Sequence, residues 1–334
     1  MHGHFWTVVP RLRLRRAATQ LRDAPWRGVV VDPARGAIPL GGWFWPGNTH
    51  DLLVVLLHGL GGSAASPYVT ATAAACQAAG LPTLRLGLRG SDGKAGDFYH
   101  AGLTADLAAA LASPELAAFS QVLVVGFSLG GHVALRYATE THDQRLTAVA
   151  AVCAPLELGI AQRSFDRRVL AAWPYRVYIL GRLKRLYAEI ATHGAVPTPV
   201  AQVHRVRTLR DFDRLTVAPR FGFTSPEDYY TRASVGPRLR QLSVPAMLVA
   251  SPRDPMVPEA CIAAAAAAAG DALEVRWVRG GHVGFPPGLD LGYDGARGLP
   301  GQLAAWARHA GAGDFSSRGL SEPPRRAGLP AAAL

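Results

Sequence analysis

Gln121-Val122-Leu123-Val124-Val125-Gly126-Phe127-Ser128-Leu129-Gly130-Gly131 is the stretch on which the reading of this chain turns. Its first seven residues have the length and apolar composition of a buried strand, and Leu129 to Thr141 carries a helical pattern. Ser128 therefore sits on a turn from strand into helix. A turn that sharp forces strained dihedrals on the serine, so bulky neighbours two positions away would clash; Gly126 and Gly130 stand there, and Gly131 follows. The start of a helix beside the hydroxyl also favours negative charge developing there. The bare pattern Gly-x-Ser-x-Gly arises often by chance. The strand before it and the helix after it weigh against the bland reading, a glycine-rich turn capped by a serine.

Working outward, short apolar runs alternate with helical patterns, the order of parallel strands joined by crossover helices. Strands are predicted at Leu52–Leu57, Leu81–Leu86, Leu146–Cys153, Val244–Ser251 and Ala272–Val278, with two more at Gly28–Val31 and Pro39–Trp45. Helices are predicted at Ser66–Ala79, Leu103–Leu111, Val257–Ala269 and Leu303–His309. Between Pro155 and Leu242 the alternation stops. That segment is rich in aromatics and Arg, its apolar spacing is helical, and it is too long for a plain loop. The expected organisation is a basic N-terminal segment over 1–27, an α/β domain over 28–310 with a helical cap inserted at about 155–242, and a disordered tail over 311–334 rich in Gly, Ser, Pro and Arg.

A serine hydroxyl is a poor nucleophile at neutral pH and needs a base, an orienting acid and donors for an oxyanion. Each has a candidate. Asp254, in the loop leaving Val244–Ser251, is the acid, preferred over Asp271 at a helix-to-strand turn on the opposite face. His282, in Gly280-Gly281-His282-Val283-Gly284-Phe285 after the last strand, is the base; His100, His132 and His309 stand where no such geometry is expected. The order Ser, Asp, His fits one established chain order of such triads. The amide of Leu129 is one oxyanion donor. Leu60, in the loop His58-Gly59-Leu60-Gly61-Gly62-Ser63 after Leu52–Leu57, supplies the other, and His58 braces that loop. No Gly-Lys-Ser/Thr follows, which argues against a phosphate loop.

Composition removes other classes. The formal charge is +11, but the only lysines are Lys94 and Lys184, so the excess is Arg in a chain also rich in Ala, Gly and Pro. That pattern reads as compositional bias, and without a basic-aromatic motif nucleic acid is not an expected partner. Arg11, Arg13, Arg15 and Arg16 alternate with Leu12 and Leu14. Two readings stay open for this cluster: weak contact with a membrane surface, or a solvated helix, the second favoured. The three cysteines are far apart, with neither metal-ligand spacing nor a disulfide framework. No apolar stretch is long enough to span a membrane, and the N-terminus lacks the order of a secretory signal. The chain is therefore expected in the cytoplasm, with peripheral membrane association left open.

Several further segments together resemble a known family. They are Ser66-Pro67-Tyr68, Leu88-Arg89-Gly90, Tyr99-His100-Ala101-Gly102, Asp106, Phe212-Asp213, Gly222-Phe223, Tyr229-Tyr230 and Asp254-Pro255, along with the serine, oxyanion and histidine loops. In combination they are similar to the YheT-type branch of the α/β-hydrolases, the group that includes mammalian acylglycerol and phospholipid lipases. The resemblance spans about 53 to 286. It implies an α/β-hydrolase fold, a mostly parallel eight-stranded sheet flanked by helices with a helical cap, and the triad Ser128, Asp254 and His282. It implies cleavage of small-molecule carboxylic esters, acyl esters or acylglycerols, with no metal or organic cofactor. An acyltransferase using the same triad and a non-catalytic binding protein are the alternatives. Phe212-Asp213 is expected to fix the cap to the sheet.

Overall fold

The computed structural model describes residues 3–5, 7, 21–48, 51–141, 143–167 and 173–313. Eight strands form one sheet in the order β1-β2-β4-β3-β5-β6-β7-β8. They are β1 (Ala24–Asp32), β2 (Gly36–Trp45), β3 (Leu52–Leu57), β4 (Thr83–Gly87), β5 (Gln121–Phe127), β6 (Leu146–Val152), β7 (Ala246–Ala250) and β8 (Leu273–Trp277). From β3 to β8 every pairing is parallel, while β1 and β2 form an antiparallel hairpin laid antiparallel against β4. This is the mostly parallel eight-stranded architecture that the alternation predicts.

The central strands are apolar throughout because both faces are covered. In β3 the alternation of side chains divides the residues between two cores. Leu53, Val55 and Leu57 pack with Val133 and Leu135 on one face. Leu52, Val54 and Leu56 pack on the other with Val69, Ala73, Leu303 and Trp306. The helices that contribute to the two cores are α1 (Pro67–Ala78), α2 (Ala105–Leu111), α3 (Leu129–Glu140) and, after the cap, α9 (Ala263–Ala269) and α10 (Leu299–Gly311).

Between β6 and β7 the chain forms the helices α4 (Leu158–Asp166), α5 (Trp173–Ile190), α6 (Leu209–Leu215), α7 (Val217–Phe221) and α8 (Pro226–Ala233). An ionic cluster ties this insertion to the sheet. Arg89, just after β4, pairs with Asp106 of α2 at 2.7 Å, Asp32 of β1 at 2.9 Å and Asp97 at 3.1 Å. Arg220 of α7 reaches down to the same carboxylates, Asp97 at 2.7 Å and Asp32 at 2.9 Å. Phe212-Asp213 does not make this tie. Asp213 accepts a hydrogen bond from Tyr230 at 2.7 Å, which links α6 to α8 inside the insertion.

Some boundaries differ from the sequence reading. The N-terminal strands begin earlier, at Ala24 and Gly36, because their pairing runs the whole length of the hairpin. The helix expected from Val257 is regular only from Ala263, after a single 3-10 turn at Glu259–Cys261. Asp254 Oδ1 accepts the Met256 and Val257 amides and holds that stretch in a turn. The last helix starts at Leu299, with Pro300 in its first turn, where a missing amide costs nothing. The Arg11–Arg16 cluster lies outside the described residues, as does all of the tail after residue 313. Among the described residues no helix is long and apolar enough to cross a membrane.

Removing one partner of a buried ion cluster leaves uncompensated charge behind. Arg220→Met is therefore expected to lower the free energy of unfolding by about 3–5 kcal/mol, read from urea denaturation. An unchanged midpoint would show that the clamp contributes nothing.

Candidate active site

Ser128 stands at the end of β5 with φ 54 and ψ −118. The turn depends on atoms that glycine leaves out. A Cβ on Gly126 would lie 2.2 Å from the Gly130 carbonyl oxygen, and one on Gly130 would lie 2.5 Å from the His58 oxygen. Both are backbone contacts that cannot yield, so the requirement for glycine either side of Ser128 is steric. The Ser128 amide donates to Val152 at 2.7 Å, fixing the turn to β6.

Three loops at the C-terminal ends of strands meet here, where ligands bind in open α/β sheets. Ser128 Oγ lies 3.0 Å from His282 Nε2. His282 Nδ1 lies 2.9 Å from Asp254 Oδ2. The other Asp254 oxygen accepts the Met256 and Val257 amides, at 2.8 and 3.0 Å, which orients the carboxylate. Both His282 and Asp254 are buried. The three residues picked from sequence are thus brought into one hydrogen-bonded chain. Ser128, Cys153 and Val283 are the non-glycine residues with positive φ among those described, and each belongs to this cluster. Backbone strain of this kind persists where the surroundings over-determine it, commonly at functional sites.

The loop over residues 58–63 is arranged around Leu60. The Gly59 amide donates to the Tyr68 hydroxyl at 3.0 Å and the Gly61 amide to the Tyr99 hydroxyl at 2.8 Å. The Leu60 amide between them, and the Leu129 amide opening α3, have no protein acceptor among the described residues. A Cβ on Gly59 would sit 3.1 Å from Ser128 Cβ, so the loop lies directly against the serine. His58 is committed to bracing. Its Nε2 accepts the Leu88 amide at 3.2 Å, and its Nδ1 lies 2.9 Å from the Gly59 oxygen. Burial lowers its pKa to about 4. His100 is likewise held neutral by burial, at about 3, with Nδ1 accepting the Gly102 amide. Neither ring is hydrogen-bonded to Ser128 Oγ, as His282 is.

A cavity of about 150 Å³ opens from Ser128 and His282 beneath the cap helices. Leu158, Ile179, Leu183, Phe212 and Val217 give it a largely apolar wall.

Two contributors had no signal in the sequence. The His282 amide donates to Thr7 Oγ1 at 2.8 Å, and Thr7 Oγ1 donates to the Gly3 oxygen at 2.8 Å. Only the folded chain brings positions 275 residues apart together. Cys153 packs under the histidine loop, its Sγ donating to the Gly281 oxygen at 3.6 Å. The ligand atoms of Cys153, Asp254 and His282 lie within 4.8 Å of one another. Burial, then the nearby Asp254, pushes the thiol pKa well up, so the sulfur stays protonated and is a poor metal ligand.

The pKa of His58 is lowered on folding, because an unfolded imidazole titrates near about 6.5. Its contribution to stability is therefore complete above that pH and is lost as pH falls toward about 4. Wild type is expected to lose stability across this window more steeply than His58→Gln, by up to about 1.4 kcal/mol per pH unit. Parallel urea titrations of the two proteins check this; identical slopes would contradict it.

Residues 54–290 match the profile of the alpha/beta hydrolase family. Over 299 residues the chain is 29% identical to the putative esterase YheT of Escherichia coli K12, covering 86% of this chain and 85% of that protein. It is 27% identical over 187 residues to the monoacylglycerol lipase ABHD2 of Bos taurus, covering 52% of this chain and 44% of that longer protein. The Pyrococcus furiosus esterase Pf2001 shares the fold, with a TM-score of 0.52 at 16% identity over 80% of this chain and 87% of that one. With the sheet order, the strained serine turn and the Ser-His-Asp geometry in place, the match over most of the chain decides its family: the protein belongs to the alpha/beta hydrolases.

Proposed function

We propose that this esterase-type hydrolase cleaves acyl esters through an acyl-enzyme on Ser128. The observation that carries the reading is the chain Ser128 Oγ to His282 Nε2 to Asp254, at 3.0 and 2.9 Å, with the serine on a strained strand-to-helix turn.

In the first step His282 Nε2 takes the Ser128 proton as Oγ attacks the ester carbonyl. Asp254 holds the imidazole with Nδ1–H toward itself and stabilises the cation that forms. The amides of Leu60 and Leu129 receive the oxyanion; losing one such donor typically costs about 3–4 kcal/mol of transition-state stabilisation. The tetrahedral intermediate collapses, His282 protonates the leaving alcohol, and the acyl group stays on Ser128. In the second step His282 activates water, which attacks the acyl-enzyme and releases the acid and the free serine. The names of YheT and ABHD2, an esterase and a monoacylglycerol lipase, support acyl esters and acylglycerols as the substrate class. The apolar cavity beside Ser128 suits an acyl chain.

A fluorophosphonate probe is expected to label wild type on Ser128 and to leave Ser128→Ala unlabelled. Asp254→Asn is expected to lower kcat on p-nitrophenyl esters by about 10⁴-fold. Equal labelling of wild type and Ser128→Ala would overturn the reading.

A further inference from the structure

Five aspartates are buried among the described residues: Asp32, Asp97, Asp106, Asp213 and Asp254. Four of them are fully provided for. Asp32 and Asp97 each meet Arg89 and Arg220, and Asp106 meets Arg89. Asp254 has His282 and two backbone amides. Asp213 differs. Its Oδ2 accepts one hydrogen bond, from the Tyr230 hydroxyl at 2.7 Å. Neither a cation nor a donor to its other oxygen is found among the described residues.

Its position makes this deficit informative. Asp213 and Tyr230 line the same cavity as Ser128 and His282, from the cap side, amid Leu209, Phe212 and Val217. Asp166, a carboxylate that acts on Asp213 through its charge, is committed elsewhere: it accepts the Leu209 and Arg210 amides and the Gln162 side chain. Burial, only partly offset by the Tyr230 hydrogen bond, raises the Asp213 pKa to about 7. An under-satisfied carboxyl in an apolar cavity is costly to fold around, and a tie between α6 and α8 could be made by an apolar pair at less cost. What an apolar pair could not do is accept a hydrogen bond from a ligand.

We propose that Asp213, held by Tyr230, is a specificity-determining subsite that accepts a hydrogen bond from an aliphatic hydroxyl of the substrate, so that the preferred esters carry a hydroxyl beyond the ester group. This deepens the acyl-ester reading of the same cavity and rests on it. The hydroxyl has two possible sources, the acyl chain or the alcohol, with the same chemistry at Asp213. A site built to bond a hydroxyl discriminates strongly against the analogue that lacks it, because its buried polar group is then left unpaired.

The test compares kcat/KM for matched pairs: p-nitrophenyl octanoate and decanoate against their ω-hydroxy counterparts, and the ethyl ester of octanoate against its glycerol monoester. In wild type the hydroxylated member of at least one pair is expected to be favoured by about 10-fold or more. Asp213→Leu is expected to bring that ratio to about 1 or below. The pair that responds identifies the source of the hydroxyl. If Asp213→Leu does not fold, Asp213→Asn, of nearly equal volume, is read the same way, with the ratio expected to fall by roughly threefold. The same ratio is also read as dissociation constants of matched alkyl methyl ketones, with and without an ω-hydroxyl, on Ser128→Ala protein. That readout needs no turnover. A protein that hydrolyses none of the esters yet binds the hydroxylated ketone more tightly through Asp213 would defeat the hydrolase reading and keep the subsite. No hydroxyl preference in any pair, or a preference that Asp213→Leu and Asp213→Asn leave unchanged, would overturn the subsite.

Discussion

The close approach of backbone to backbone around Ser128 is the constraint on which the rest of this molecule depends. β5 must turn into α3 within one residue, with φ 54 at the serine, and the Gly126 and Gly130 backbones must come within the distance a Cβ would occupy. That geometry places Oγ above the C-terminal edge of the sheet with the first amide of α3 beside it. It also fixes where the loop over residues 58–63 must run, since Gly130 packs on the Leu57 and His58 carbonyls and Gly59 packs on Ser128. The Asp254 and His282 loops then need only leave β7 and β8 at the same edge to reach the serine. Cys153, just after β6, and Val283, in the histidine loop, also have positive φ and meet through the Val283 amide and the Cys153 sulfur.

The cap is held over this edge by charge as well as by packing. Arg89 and Arg220 share Asp32 and Asp97, so sheet, hairpin and insertion meet in one buried cluster. Its members are saturated, which gives it the character of a clamp. Asp213, inside the cap and facing the cavity, is the contrasting case. The saturated carboxylates build the fold, and Asp213, with one hydrogen bond among the described residues, is the one proposed to meet a ligand.

Much of this was legible in the sequence because its signals are local. The strand at Gln121–Phe127, the glycines around Ser128 and the glycines around His282 each report a backbone requirement within a few residues. The chain order of Ser128, Asp254 and His282 then follows from the order of the strands. What stayed hidden is long-range. Nothing near Arg220 marks it as the partner of Asp32, 188 residues away, and nothing near Thr7 marks it as the acceptor for the His282 amide. Phe212-Asp213 is legible as a motif but its link to Tyr230 is not, because an aspartate in sequence does not say which groups answer it. The helix expected at Val257 failed for a related reason: Asp254 takes the amides of Met256 and Val257, and a turn forms where apolar pattern alone suggests a helix.

The central claim is that Ser128 carries the acyl group between two steps. Rapid quenching of the native protein mixed with p-nitrophenyl acetate, followed by peptide mass analysis, tests it most directly. An acetyl group is expected on the peptide containing Ser128, formed as fast as the burst of p-nitrophenol and in equal amount. Steady release of p-nitrophenol with no acetyl on Ser128, or with the acetyl on another side chain, would contradict it.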